Sequence, residues 1–318
     1  MAVIVQSATD LGLKRSHNED SHRCWVPDDP AEYERRGVLL LVADGMGGSK
    51  AGEVASRVAV ETAMGAYRDD ASDDPLDDLR RAVESANRVV HEQSTRDVEL
   101  GGMGTTLTAA VIRGDQVLLA HVGDSRAYLV RNDRIVQLTR DHSLVAQMVR
   151  DRQLTPEQAR VDPRRNVVTR SVGVEPEVEV DIGRVETALE HGDTLLLCTD
   201  GLHGLVSDEE LCAAASDGDL NGACEDLVAL ARQRGGHDNI TVLLARYEPA
   251  DRPEVPRSYM ERAARTRSSQ ATMAWLMLAL LVLLLALGAI ALVAVRLGKE
   301  SKPAGAVERR GASLEHTA

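Results

Sequence analysis

Phenylalanine is absent from this 318-residue chain, and two Trp and five Tyr are its only aromatic residues. A core must therefore be built from Val, Leu, Ile and Ala, which volume and patterning permit without aromatic bulk. Cysteine is scarce. Cys24, Cys198, Cys212 and Cys224 form no C-x-x-C pair and no Cys–His spacing suited to zinc. Reduced thiols in a cytosolic domain are expected, with Cys198 in the core. The opening Met1–Gln6 has neither a basic segment nor an apolar stretch of signal-peptide length. An excess of basic residues is also missing. The formal net charge is −13; residues 251–318 hold ten Lys/Arg against six Asp/Glu, +4, which leaves −17 for the first 250 residues. Such acidity argues against nucleic acid as the main partner, and its simplest role is solubility.

One long apolar run is present. Met273–Val295 carries no charge and a single Gly, and about 20 such residues span a bilayer core. Trp275 near one end suits the membrane interface. The sequence thus divides into a domain over 1–247, a Pro- and Arg-containing juxtamembrane linker over 248–272, a transmembrane helix over 273–295, and a short polar tail over 296–318 expected to be disordered.

Helix and strand signals alternate in the first 247 residues. Val38–Ala43 is a continuous apolar strand. Lys50–Ala66 and Asp74–Ser94 read as helices, the second with Leu79, Val83, Ala86 and Val90 on one face. Strands follow at Thr105–Ile112, Gln116–Val122, Arg126–Val130 and Ile135–Leu138, with short turns at Gly114-Asp115 and Asn132-Asp133, a pattern that predicts an antiparallel meander. Asp141–Arg160 is polar and mostly helical. Thr194–Cys198 and Asn239–Arg246 read as strands, Ser207–Ala215 and Gly222–Gln233 as helices. Short connections imply antiparallel pairing. The expected class is α+β: two stacked antiparallel sheets flanked by helices, plus one C-terminal transmembrane helix.

Four aspartates stand beside Gly or Asn at the ends of strand-like runs: Asp20 in Asn18-Glu19-Asp20, Asp44 in Asp44-Gly45-Met46-Gly47-Gly48, Asp200 in Thr199-Asp200-Gly201, and Asp238 in His237-Asp238-Asn239. Glycine lets the backbone pass close to a ligand. Carboxylates without a Cys or His cluster suit hard cations such as Mg²⁺ or Mn²⁺. One shared metal site, and hydrolysis by metal-activated water, is the chemistry this points to.

The order of motifs resembles the metal-dependent protein phosphatases of the phosphatase 2C type, in particular their bacterial branch. The matching pieces include Asp10-x-Gly12-x-x-Arg15-x-x-Asn18-Glu19-Asp20, Asp44-Gly45-Met46-Gly47-Gly48, Gly102-Met103-Gly104-Thr105-Thr106, Val122-Gly123-Asp124-Ser125-Arg126, Asp141-His142-Ser143, Asn166-Val167-Val168-Thr169-Arg170, Thr199-Asp200-Gly201-Leu202 and His237-Asp238-Asn239, across almost all of Val3–Tyr247. The resemblance implies a β-sandwich flanked by helices and two Mn²⁺ or Mg²⁺ ions. In it, Asp44 bridges the ions with the Gly45 carbonyl as a further ligand, Asp200 and Asp238 bind one ion, and Glu19 and Asp20 hold metal-bound waters. It implies that Arg15 binds the substrate phosphate through paired donors. In the bacterial branch Asp124 joins Asp200 at a third ion; a turn aspartate capping Ser125 or Arg126 is the alternative. Eukaryotic members have a histidine where Met46 stands, so the acid for the leaving group is left open. It could be a metal-bound water. His17 and His142 are near the motifs but read as surface histidines. Asp141–Arg170 resembles the family's flap beside the site, the alternative being an ordinary surface excursion.

The expected function is serine/threonine protein phosphatase, with phosphorylated proteins, and Ser/Thr protein kinases among them, as partners. A hydrolase of small phosphoesters and a pseudophosphatase that only binds phosphoproteins are the competing readings; the intact Asp44, Asp200 and Asp238 argue against the second. The expected location is the inner membrane, single-pass, with the catalytic domain cytoplasmic.

Overall fold

In the computed structural model, which describes residues 3–69, 72 and 74–249, the apolar run at Val38 extends through Met46 as one strand buried on both faces along most of its length. In chain order the elements are β1 (Val3–Asp10), β2 (Asp20–Trp25), α1 (Pro30–Arg36), β3 (Val38–Met46), α2 (Ser49–Asp69), α3 (Pro75–Arg96), β4 (Gly104–Thr105), β5 (Leu107–Arg113), β6 (Gln116–Val122), β7 (Arg126–Arg131) and β8 (Arg134–Gln137). The second half adds α4 (Leu144–Arg150), α5 (Pro156–Val161), β9 (Asp181–Arg184), β10 (Thr194–Cys198), α6 (Asp200–His203), α7 (Asp208–Ala215), α8 (Leu220–Gln233) and β11 (Ile240–Tyr247). The strands form two antiparallel sheets, β1-β11-β10-β7-β8 and β2-β3-β5-β6-β9, with β4 paired to β3.

The period of two along each strand sorts side chains into three apolar layers. Val38, Leu40 and Val42 point between the sheets and meet Ala127, Leu195, Leu197 and Leu243. Leu39, Leu41 and Ala43 point the other way, onto α2 and α3, through Ala55, Ala59, Leu79 and Val83. On the outer face of the second sheet, Leu196, Val242 and Leu244 pack with α7 and α8 through Leu211, Leu227 and Ala231. The result is the helix–sheet–sheet–helix order expected. With no Phe to fill it, the space is taken by small and branched aliphatics, each Val or Leu contributing about 1.5–3 kcal/mol on full burial. Helix α3 begins where the Asp74 carboxylate accepts from the Leu76 amide with Pro75 in the first turn, and its predicted face of Leu79, Val83, Ala86 and Val90 is buried.

The meander expected from Thr105 to Leu138 is corrected. The structure has two hairpins in different sheets: β5–β6 in one, β7–β8 in the other. The turns at 114–115 and 132–133 are hairpin turns, but residues 123–125 carry the chain across the sandwich. Alternation reports a strand and not its partner, so this crossing was illegible from pattern. The strand read as Thr105–Ile112 is also broken at Thr106, between β4 and β5. Strands β1, β2 and β9 and helices α1 and α6 are additions to the sequence reading.

Among the described residues no helix is long and apolar enough to cross a membrane. The span expected at Met273–Val295, its polar tail, and the linker from residue 250 onward lie outside the described residues.

Candidate active site

Antiparallel pairing explains how aspartates far apart in sequence meet. Asp44 lies near the C-terminal end of β3 and Asp200 follows β10, whereas Asp20 opens β2 and Asp238 stands just before β11. In an antiparallel pair, the end of one strand lies beside the start of its neighbour. Asp20 is opposite Asp44 in the β2–β3 register, and the Thr199 amide beside Asp200 donates to the Thr241 carbonyl of β11. A cavity of about 400 Å³ opens at this end of the sandwich, and Arg15, Glu19, Asp44, Asp124, Asp200 and Asp238 all line it.

Asp20 is placed differently from the other carboxylates. It is not on the cavity wall but behind it, with one carboxylate oxygen accepting from the Thr199 and Thr241 hydroxyls at 2.8 and 2.7 Å. Neither threonine was singled out from sequence; the Thr199-Asp200 pair was the available signal. Asn239, next to Asp238, is a second unanticipated support. Its side chain accepts from the Glu19 amide at 2.8 Å and donates to the carbonyls of Leu11 and His17 at 2.9 and 3.0 Å, tying the β1–β2 loop to β11. Thr106 completes the frame, its hydroxyl accepting from the Asp44 amide at 2.8 Å. Two glycines are required by close approach. A Cβ on Gly45 would lie 2.0 Å from the Gly52 carbonyl oxygen, and one on Gly201 would lie 1.9 Å from that of Asn239.

The electrostatics of the cavity favour positive charge. Burial, then the neighbouring charges of Asp200 and Asp238, push Asp20 up to about 7. Burial, then Asp200 and Asp141, push Asp124 up to about 8. Burial, then Asp238, raise Asp200 to about 6, opposed by its hydrogen bond with Asp44. Asp44 is held well above the ordinary carboxylate range by burial and by Asp20, Asp200 and Asp124. One oxygen each of Asp20 and Asp200 is buried without a hydrogen-bond partner, an expensive arrangement unless a ligand completes it. Among the described residues, no three His, Cys, Asp or Glu side chains are gathered tightly enough to cage an ion by themselves. The fit to a hard cation rests instead on those unpartnered oxygens and on the oxygen-only donors of the carboxylates.

A pH dependence follows for the metal-free chain. The fold keeps protons on these aspartates above the pH at which an unfolded aspartate, near 3.9, releases them. Between about pH 4 and pH 8 the folded state therefore binds more protons than the unfolded one, and stability falls as pH rises. Thermal melts in EDTA are expected to give a lower Tm at pH 8 than at pH 5, and Mn²⁺ to raise Tm more at pH 8. A metal-free Tm flat across that window would contradict the cluster.

Arg15 projects into the cavity with its Nη2 donating to Asp238 at 2.7 Å. Met46 and the exposed His17 also line the cavity. His142 does not line it, and the expectation of a surface histidine there is corrected: it is buried. Its amide donates to the Gly123 carbonyl at 2.7 Å and its Nδ1 accepts from the Gly123 amide at 3.0 Å. It thus holds the crossing segment that carries Asp124. Burial lowers its pKa. Asp141–Arg170 contains the two short helices α4 and α5, and the segment closes back where the Leu144 amide donates to Val167 and the Thr169 amide to His142. Asn166 and Val168, at this closure, reach the cavity.

The family described as Protein phosphatase 2C matches residues 14–245. The serine/threonine phosphatase stp of Listeria innocua is 39% identical over 241 residues, covering 74% of this chain and 92% of that protein. The crystal structure of the Mycobacterium tuberculosis phosphatase PstP superposes with TM-score 0.69 at 36% identity, covering 78% of this chain and all of that one. A structure of the PstP catalytic domain in complex with two manganese ions gives TM-score 0.66 at 34% identity, covering 78% and 99%. The chain belongs to the protein phosphatase 2C family and is, by that membership, a serine/threonine protein phosphatase.

Proposed function

We propose that the chain removes phosphate from phosphoserine and phosphothreonine in proteins with two Mn²⁺ or Mg²⁺ ions at this cavity, opposing protein kinases at a membrane. The observation that carries this reading is the set of carboxylates at and behind one cavity wall that raise each other's pKa, Asp200 on the wall and Asp20 off it each with an unpartnered buried oxygen, next to a guanidinium. Asp44 would bridge the ions with the Gly45 carbonyl, Asp200 and Asp238 would hold one, and Glu19 and Asp20 would hold their waters. Asp124, which lines the cavity and feels the charge of Asp200, would serve a third. When bound, such ions acidify water and offset phosphoryl charge.

The chain's own residues supply the rest. The Thr199 and Thr241 hydroxyls aim Asp20, and Asn239 fixes the loop that carries Glu19. Arg15 offers paired donors to two phosphate oxygens. Met46 has no proton to give a leaving alkoxide. The 318-residue chain in detergent is expected to hydrolyse phosphopeptides with Mn²⁺ and to stop on addition of EDTA. Turnover that survives EDTA, or activity on para-nitrophenyl phosphate without any on phosphopeptides, would overturn the reading.

The membrane context is part of the proposal. The catalytic domain, 1–247, would face the cytoplasm, joined by 248–272 to a span at 273–295, with the tail from Arg296 outside. All four cysteines are free, three of them buried, which suits a reducing compartment. The tether raises local concentration against membrane-bound phosphoproteins without new contacts. Alkaline phosphatase fused after Ala318 is expected to be active and green fluorescent protein there dark; the opposite pair would place the tail inside.

A further inference from the structure

We propose that Arg15 and a divalent cation compete for the Asp238 carboxylate, so that metal loading is what releases the guanidinium to phosphate. This rests on the metal assignment above and adds an order of events to it. The Arg15 Nη2 donates to Asp238 Oδ2 at 2.7 Å, and its Nη1 lies 3.8 Å from Glu19 Oε2. The other Asp238 oxygen accepts from the Asn239 amide at 2.9 Å. Both oxygens of this carboxylate are therefore engaged, one of them by a side-chain cation rather than by the backbone. Asp20 and Asp200, in contrast, each keep an oxygen without a partner.

Arg15 is built to leave. Its side chain is 44% exposed, against 23% for Asp238 and 8% for Glu19, and it stands in the loop between β1 and β2. The guanidinium edge that holds Asp238 is drawn from the same fork of donors that a phosphate would use. It cannot fully serve both. A unit positive charge at hydrogen-bond distance from a ligand carboxylate also repels an incoming cation. Metal at Asp238 weakens the Arg15 contact, and by linkage Arg15 weakens metal binding by the same factor. Metal first, phosphate second is the favoured order, and in the metal-free chain Arg15 acts as the resident counter-ion.

The test is calorimetric titration of Mn²⁺ into the 318-residue chain in detergent, with circular dichroism to monitor folding. Arg15→Ala is expected to bind at least one Mn²⁺ about tenfold more tightly than the parent chain, because a repelling charge is gone. Arg15→Lys keeps the charge and is expected to stay within about threefold of the parent. Arg15→Gln, uncharged but of similar size, gives the same reading as Ala should the Ala variant unfold. Mn²⁺ affinity that is unchanged or weaker in both uncharged variants, with phosphopeptide turnover of the parent intact, overturns the competition and leaves the metal assignment standing. A parent chain that takes up no Mn²⁺ overturns both.

Discussion

Asp44→Asn is expected to lower Mn²⁺-dependent phosphopeptide turnover by about 10²–10³-fold or more, the loss typical of removing one group that stabilises developing charge, while the fold survives. Asparagine has the size of aspartate and can keep the side-chain hydrogen bond to Asp200, and three further bonds at residue 44 are made by its backbone. Its amide donates to the Thr106 hydroxyl at 2.8 Å, and its carbonyl accepts from the Thr105 hydroxyl at 2.8 Å and the Thr106 amide at 2.9 Å. What changes is charge. Asp44 is held well above the ordinary carboxylate range by burial and by Asp20, Asp200 and Asp124, so without metal an asparagine removes the cost of keeping this carboxyl protonated in the fold. The variant should therefore melt at the parent's Tm or above it in EDTA, and lose most of the rise in Tm that Mn²⁺ produces. Substantial turnover in Asp44→Asn, or an undiminished Mn²⁺ shift, would remove Asp44 from the centre of the site.

The largest effect on stability is expected far from the cavity. Arg36, at the end of α1, is 1% exposed, and its Nη1 donates to Asp78 of α3 at 2.5 Å. Its Cζ lies 4.1 Å over the Tyr67 ring, while Nε and Nη2 have no hydrogen-bond partner. Asp78 is better served, accepting also from the Ser72 amide and from Arg81. The two halves of the pair are thus unequal. Asp78→Ala strands a buried guanidinium and is expected to cost about 3–5 kcal/mol, or a fall in Tm of roughly 10 °C. Arg36→Met leaves Asp78 with its remaining donors and should cost less. Combining Arg36→Met with Asp78→Leu should recover part of the loss. Thermal melts of the four chains decide this, and Asp78→Ala within about 1 kcal/mol of the parent would refute the asymmetry.

The sequence by itself determined the elements whose signal is local and the residues whose chemistry is local. The apolar runs at Val38 and Thr194, the helical face of Leu79, Val83, Ala86 and Val90, and the motif aspartates were all legible because each depends on neighbours a few residues away. Tertiary structure alone decided which strands pair, and through that what touches what. It sent β7 to the sheet opposite β6, so that Asp124 sits on a crossing held by His142. It put Asp20 behind the cavity wall, between two threonines 42 residues apart in the chain. It set Arg15 against Asp238 across 223 residues. Periodicity says that a segment is a strand and which face is apolar; it carries no label for the partner. Partner and position are chosen by the packing of whole sheets, where apolar layers from distant parts of the chain must be buried together.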